Sequence, residues 1–209
     1  MHIINELLNP AIIDFEIPSL SEIDFDKLYD HALVEHTYKT LGVNPGRYNM
    51  PNNTPAFFEL FNFLTKPLYD IMEKLMSMDN VRWPILDLGY KDFNDFYAKK
   101  VKRDQGLYIS AVICKPGFSM PWHLDNRFAV LNGIINVNDH ETQTCFSKTD
   151  MGWDHNTESP RTETYHNIIH KGLKNKFQGT AWTNNELNWH CVPNVTVERK
   201  IIMFSLHIK

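Results

Sequence analysis

A mainly β fold, a sandwich or jelly roll flanked by helices on its N-terminal side, is what the sequence predicts, and two observations carry the prediction. After Gln105-Gly106, six short apolar or β-branched runs follow one another between turn residues. They are Leu107 to Cys114, Val130 to Val137, Thr142 to Phe146, Gly179 to Trp182, Trp189 to Val192 and Lys200 to Ile208. Before that point the apolar residues recur at helical spacing instead. Strands at this density build sandwiches and jelly rolls.

The elements follow in order. Ser21-Glu22-Ile23-Asp24 offers a capping-box start, and Leu28, Tyr29, Ala32, Leu33 and His36 then recur at helical spacing, so a helix is expected to about residue 41, where Leu41-Gly42 closes it. Asn44-Pro45-Gly46 and Pro51-Asn52-Asn53 read as loop. Thr54-Pro55 starts a second helix, whose stripe includes Phe57, Leu60, Leu64, Leu68, Ile71 and Leu75; Pro67 is expected to kink or split it. Such a stripe is read as core packed on the outside of a sheet. Residues 147–178 break the strand rhythm, and a loop that long inside a compact domain is usually functional or mobile. One domain over 1–209 is expected, with 1–106 a helical support region and 107–209 a jelly-roll core carrying the 147–178 insertion.

Composition bounds the function. The chain has 209 residues, enough for a substantial core, and 21 Lys and Arg against 25 Asp and Glu give a net charge of -4. That balance attracts no phosphate backbone, so a nucleic-acid partner is not expected; the one dense basic run, Lys99 to Arg103, reads as a solvated helix end. Cys114, Cys145 and Cys191 are widely spaced, which favours neither a disulfide framework nor a cysteine zinc site. The N-terminus lacks the basic start and apolar core of a signal peptide, and no apolar stretch approaches the roughly 18 residues of a membrane span. A soluble, cytoplasmic protein with no membrane partner is the expectation.

The chemistry lies in His123-Leu124-Asp125 and in His190, nine residues before Arg199. Residues i and i+2 of a strand share a face, so His123 and Asp125 can reach one ion, and His190 on a second apolar strand can supply a third ligand. Two imidazoles and one carboxylate leave open positions on a metal, an arrangement suited to Fe(II). Arg199 heads the terminal strand, where its guanidinium fork could hold the carboxylate of a co-substrate.

With these residues, the chain resembles the Fe(II)- and 2-oxoglutarate-dependent oxygenases, in their prolyl-hydroxylase-like and aspartyl-hydroxylase-like branches. The likeness runs over about residues 107 to 208. It is carried by Lys115-Pro116-Gly117, Pro121-Trp122-His123-Leu124-Asp125-Asn126 and His190-Cys191-Val192-Pro193-Asn194 with Arg199. The resemblance implies a double-stranded β-helix of cupin type, with Fe(II) on His123, Asp125 and His190 and 2-oxoglutarate held by Arg199. It implies a dioxygenase that couples oxidative decarboxylation of 2-oxoglutarate to succinate with hydroxylation of a C-H bond by O2. The substrate would be a small molecule, an amino acid or a peptide, most naturally a peptide or amino-acid side chain. No catalytic residue beyond the metal centre is implied.

The chain departs from the branch pattern at Cys114 and Met120, where tyrosines often stand, and at Lys200-Ile201, where another branch places a serine. The second 2-oxoglutarate contact therefore falls to Tyr108, Asn132 or Asn136, the latter two sharing a strand face. Trp122, Asn126 and Arg127 adjoin the metal strand without an assigned role. Trp153, His155, Arg161 and Tyr165 are candidate substrate contacts in the insertion. His166 and His170, four apart, would form a rival metal pair on a helix. Two other classes stay open: a cupin-like module that binds metal or a small ligand without turnover, and an inactive relative acting as an interaction protein.

Overall fold

Two antiparallel sheets face one another in the computed structural model, which describes residues 1–8, 11–29, 34–35, 46–49, 54–78, 91, 93–99, 107–125, 129–148, 153–154, 159–160, 168–184 and 188–207. The chain opens with strands β1 (His2–Leu8) and β2 (Ala11–Glu16), a 3-10 turn at Pro18–Glu22 and helix α1 (Phe25–Tyr29). Strands β3 (Val34–Glu35) and β4 (Arg47–Asn49) and helices α2 (Pro55–Ser77) and α3 (Phe93–Lys99) follow. Next come β5 (Leu107–Cys114), β6 (Met120–His123), β7 (Ala129–Asn136), β8 (Cys145–Ser147), β9 (Trp153–Asp154) and β10 (Ser159–Pro160). The last four strands are β11 (His170–Lys171), β12 (Gln178–Thr183), β13 (Trp189–Val192) and β14 (Arg199–His207).

The larger sheet has the order β1-β2-β12-β7-β14-β5-β4-β3 and the smaller β11-β8-β13-β6, while β9 and β10 pair as a separate ribbon. The core strands alternate between the sheets except at β8 and β11, which pair within the smaller: β5, β7, β12 and β14 belong to the larger, β6, β8, β11 and β13 to the smaller. This winding is a double-stranded β-helix, the fold class expected.

Period-two alternation divides the larger sheet into two faces. Leu107 and Ile109 of β5, Leu131 and Ile135 of β7, and Ile202, Phe204 and Leu206 of β14 join one core cluster with α2. The alternate residues Val112, Cys114, Ile134 and Ile201 belong to a second cluster between the sheets. Helix α2 is capped by Thr54, whose hydroxyl accepts from Phe57 N at 3.2 Å, and starts with Pro55. Its Leu60, Leu64, Leu68, Ile71 and Leu75 are fully buried. At about 1.5–3 kcal/mol per side chain, that burial outweighs the roughly 3 kcal/mol that an internal proline costs. The helix accordingly runs through Pro67 unbroken, and the expected split is absent.

Three further expectations need correction. Among the described residues, the helix read from residue 21 to about 41 is α1 alone: Tyr29 is drawn into the core, where its hydroxyl donates to Ile201 O at 2.9 Å, and Val34–Glu35 are strand, paired with β4 at the sheet edge. The region before residue 106 is more than helical support: β2 pairs with β12 and extends the larger sheet, with β1 outside it. Part of the 147–178 segment is structural, since β11 pairs with β8 in the smaller sheet. His170 of β11 reaches Asp14 of β2 at 3.1 Å, and Thr180 donates to the same carboxylate at 2.7 Å. Among the described residues no helix is long and apolar enough to cross a membrane.

Gly179 lets β2, β12 and β7 lie together. A Cβ there would stand 2.5 Å from Ile134 O and 2.4 Å from Phe15 Cζ, and a backbone oxygen inside a ladder cannot swing away. Gly179→Ala is expected to cost about 1–3 kcal/mol, as overpacking does. Urea unfolding reads this directly, and an unchanged midpoint would show that the three strands have slack.

Candidate metal centre

His123 is the last residue of β6 and Asp125 lies two residues on, just past the strand. On the neighbouring strand β13, His190 is the direct cross-strand partner of His123. Residues paired in this way present their side chains to one face about 5 Å apart, and the two imidazole centroids are 4.2 Å apart. His190 Nε2 stands 3.3 Å from one Asp125 oxygen and His123 Nε2 3.8 Å from the other. One ligand atom from each residue falls within 4.8 Å of the others, a group able to hold a metal ion.

Main-chain carbonyls orient both rings. His123 Nδ1 lies 2.8 Å from Pro121 O and His190 Nδ1 3.0 Å from Asn188 O, which places the proton on Nδ1 and leaves each Nε2 lone pair facing the centre. The carboxylate is held as well: Asp125 Oδ2 accepts from Asn132 Nδ2 at 2.8 Å and Trp182 Nε1 at 3.1 Å. Burial pushes the Asp125 carboxyl up, but His190, His123 and the Trp182 hydrogen bond prevail and bring it to about 2. Burial and the neighbouring His190 lower His123 to about 4. Burial also pulls His190 down, yet the Asp125 charge and hydrogen bond raise it overall. A divalent cation at this point would meet the Asp125 carboxylate and the two Nε2 lone pairs. Two neutral imidazoles and one carboxylate are a donor set that fits Fe(II).

The three side chains open into a cavity of about 640 Å³ between the sheets, also lined by Arg199, Thr144, Asn132 and Trp182. Arg199 is 1% exposed; its Nη2 donates to Thr144 Oγ1 at 3.2 Å, while its Nε has no partner. Among the described residues no carboxylate pairs with it. Burial accordingly lowers its pKa. An unpaired buried guanidinium costs several kcal/mol, a cost that an anionic ligand in the cavity removes.

The structure thus brings together His123, Asp125, His190, Arg199 and Asn132. It does not bring in Tyr108 or Asn136. Tyr108 is 45% exposed and packs on His207 outside this cavity, because it stands at the far end of β5 from Cys114. Asn136 shares the parity of Asn132, but its amide is consumed by Leu173 O at 2.9 Å and His140 Nε2 at 2.8 Å. Of the rival pair, His170 lies on a strand and bonds to Asp14, and His166 lies outside the described residues. Asn126, Arg127, His155, Arg161, Tyr165 and Lys100 to Arg103 are outside them too, as is the side chain of Trp153. Sequence reading missed Trp182, Thr144, Asn188 and Arg47. The contacts of Trp182 and Thr144 span tens of residues, while Asn188 acts through its main-chain carbonyl, which any residue type supplies, so its identity gives no signal.

No family model matches the chain, and no curated protein matches it. Among solved structures it is similar to a prolyl hydroxylase in complex with a hypoxia inducible factor peptide fragment from Trichoplax adhaerens, with a TM-score of 0.56, 9% identity, and 88% of this chain and 74% of that one covered. A prolyl-4-hydroxylase of Pseudomonas putida gives a TM-score of 0.53 at 12% identity, covering 95% and 92%. A 2OG-Fe(II) oxygenase family oxidoreductase of Burkholderia pseudomallei gives 0.53 at 9%, covering 93% and 85%. The fold of this chain is therefore the double-stranded β-helix shared by the 2-oxoglutarate oxygenases.

Two predictions follow from the geometry. Removing either donor to Asp125, by Asn132→Ala or Trp182→Phe, should weaken Fe(II) or Mn(II) affinity about 10–100-fold in a metal titration. Unchanged affinity would mean that neither donor orients the carboxylate. The second concerns His140, which burial and the charge of Arg199 hold near a pKa of about 3, against an ordinary 6.5. Between these values the unfolded chain binds the extra proton. Its contribution to stability is whole above pH 6.5 and is lost as pH falls toward 3, at up to about 1.4 kcal/mol per pH unit. Urea midpoints of metal-free protein at pH 7, 6 and 5 should fall less steeply in His140→Asn than in wild type; parallel slopes would refute it.

Proposed function

We propose that the chain is an Fe(II)- and 2-oxoglutarate-dependent dioxygenase, one domain over 1–209 with its jelly-roll core in 107–209. The observation that carries this reading is a buried guanidinium that has no carboxylate partner among the described residues and lies in the same cavity as a His-Asp-His group. His123, Asp125 and His190 would hold the iron, with Asn132 and Trp182 fixing the carboxylate and the carbonyls of Pro121 and Asn188 fixing the rings. Arg199 would bind the distal carboxylate of 2-oxoglutarate, and Thr144, bonded to Arg199, would supply a second contact for it. Iron, when bound, supplies the activation of O2 coupled to decarboxylation of the co-substrate to succinate. The apolar walls formed by Phe118, Ile134, Val192 and Ile201 exclude water and strengthen the Arg199 contact.

The reaction we assign is hydroxylation of a C-H bond, on a peptide or amino-acid side chain. The likeness to a prolyl hydroxylase that holds a peptide supports this choice. We place the protein in the cytoplasm, a compartment suited to its three free, buried thiols.

An anaerobic Fe(II) titration with and without 2-oxoglutarate tests the proposal. Wild type should give a visible metal-to-ligand charge-transfer band that needs both components, and Asp125→Ala should lose it. His123→Ala and His190→Ala should lose iron, whereas Arg199→Ala should keep iron and bind 2-oxoglutarate at least ~30-fold more weakly, as loss of a buried charge partner predicts. Iron bound without any band would point instead to a binding module, and wild-type affinity for 2-oxoglutarate in Arg199→Ala would overturn the co-substrate assignment.

A further inference from the structure

The smaller sheet has a second face, and the proposed reaction uses none of its side chains. Across that sheet His123, His190, Phe146 and His170 pair in one row, the row of the metal centre. The next row pairs Cys191 of β13 with Cys145 of β8, and Cys145 in turn with Lys171 of β11. Successive residues of a strand point to opposite faces, so the two thiols lie on the face turned away from the metal cavity. There they share a cluster with Trp122, against which Ile168 and Trp189 pack. Far apart in sequence, the two cysteines are direct cross-strand neighbours. Cys114 belongs instead to the cluster between the sheets, so the smaller sheet stands between it and the pair.

Residues directly opposite in an antiparallel pair have Cα atoms about 4.5–5.5 Å apart, inside the roughly 4.4–6.8 Å that a disulfide spans. Their Cβ atoms stand about 4.5–5.5 Å apart, where a disulfide needs about 3.5–4.5 Å. A bond here therefore forms once the strands draw together by up to about 1 Å, and a bond strained in this way is readily reduced. The sulfurs already meet: the Cys191 thiol donates to the Cys145 sulfur, and Cys145 Sγ donates to Gln143 O at 3.6 Å. The first of these bonds, with the Lys171 charge, draws the Cys145 thiol below its ordinary value against the pull of burial. Access distinguishes the two. Cys145 lines a pocket of about 350 Å³ with Thr142, Gln143, Lys171 and Asn194, and this pocket shares no lining residue with the metal cavity. Cys191 is fully buried behind Cys145 and does not line it.

We propose that Cys145 and Cys191 are a peroxide-responsive thiol pair that closes reversibly to a disulfide and thereby loosens metal binding at His190. With hydrogen peroxide, the Cys145 sulfur attacks one oxygen, the O–O bond breaks, and Cys145 becomes a sulfenic acid while the other oxygen leaves as water. The Cys191 sulfur then displaces the remaining oxygen as a second water, and the S–S bond forms. Two thiols give up two electrons and two protons, and the peroxide is reduced to two waters. An external dithiol reverses the step by exchange and ends as its own disulfide. The coupling rests on the reading of His123, Asp125 and His190 as a metal centre. Cys191 adjoins His190 in the chain, and Cys145 adjoins Phe146, the cross-strand partner of His190. A strand shift approaching an ångström exceeds the ~0.2 Å within which metal–ligand distances are held, so the closed pair misplaces one ligand. In a reducing compartment the pair stays open until an oxidant arrives.

The test exposes the full chain, freed of metal by chelation so that no iron chemistry consumes the oxidant, to a small excess of hydrogen peroxide. Catalase stops the reaction, N-ethylmaleimide blocks the remaining thiols on unfolding, and mass spectrometry maps the peptides. Wild type should yield Cys145 linked to Cys191, with Cys114 still a blocked thiol, and dithiothreitol should undo the link. Cys191→Ser should stall at a Cys145 sulfenic acid that dimedone traps, and Cys145→Ser should leave Cys191 a thiol; thermal melting checks that both variants fold. Mn(II) titrations then compare the open, closed and re-reduced wild type after the reagents are removed. Closing should weaken Mn(II) about tenfold, the size of effect that disturbing a ligand's support has, and re-reduction should restore it. Peroxide treatment of Cys145→Ser should leave its Mn(II) affinity unchanged. Thiols at both positions that survive peroxide in wild type, as mere packing groups would, or links formed only between molecules, overturn the proposal. A closed pair with undiminished Mn(II) affinity overturns the coupling. If open wild type binds no Mn(II), the metal-centre reading fails and takes the coupling with it, while the linked peptides still decide the disulfide.

Discussion

Strict alternation along β14 is the constraint on which the rest depends. Ile202, Phe204 and Leu206 enter the layer under α2, and Arg199, Ile201, Met203 and His207 enter the cavity. The strand is paired along its length with β5 on one side and β7 on the other, so a slip by one residue would move its arginine into the hydrocarbon layer and its phenylalanine into the site. Burying either set on the wrong side costs far more than any ladder bond returns. The apolar layer thereby fixes the register of the chemistry.

The same logic holds across the cavity. β13 places His190 opposite His123 and, on its other side, opposite Phe146, whose ring packs against Trp182. Trp182 in turn donates to Asp125. The polar centre is thus held by side chains whose bulk belongs to the core, and an orientation fixed by packing needs no reorganisation when a ligand arrives. Arg199 is the counterpart at the other end of the cavity, where a charge is kept dry and one of its donors is left without a partner.

Much of this was legible in the sequence because period two survives wherever one strand face meets the helix layer and the other the cavity. The runs at 107–114 and 189–192 coincide with β5 and β13, and those read at 130–137 and 200–208 miss β7 and β14 by one residue at each end. β2 escaped because five consecutive residues, Ala11 to Phe15, are buried, which erases alternation. Its polar member, Asp14, finds His170 and Thr180 more than 150 residues away, a pairing no local window contains. His123, Asp125, His190 and Arg199 could be picked out by type and order. Asn136 was misjudged, since parity gives a face but not what competes for the amide there.

The N-terminal hairpin carries a consequence for how the chain is made. β1 and β2 are synthesised early relative to their partner: β12, the strand that completes β2, comes more than 160 residues later. At about 5–20 residues per second that interval is roughly ten to thirty seconds, during which the apolar residues Ile13 and Phe15 have no sheet to join. Helix α2 emerges long before β12 and belongs to the same core cluster. Together with α1, of the same cluster, it offers the hairpin an apolar surface before β12 is made, so the layer that sets the register of the finished site also guards β2 during synthesis.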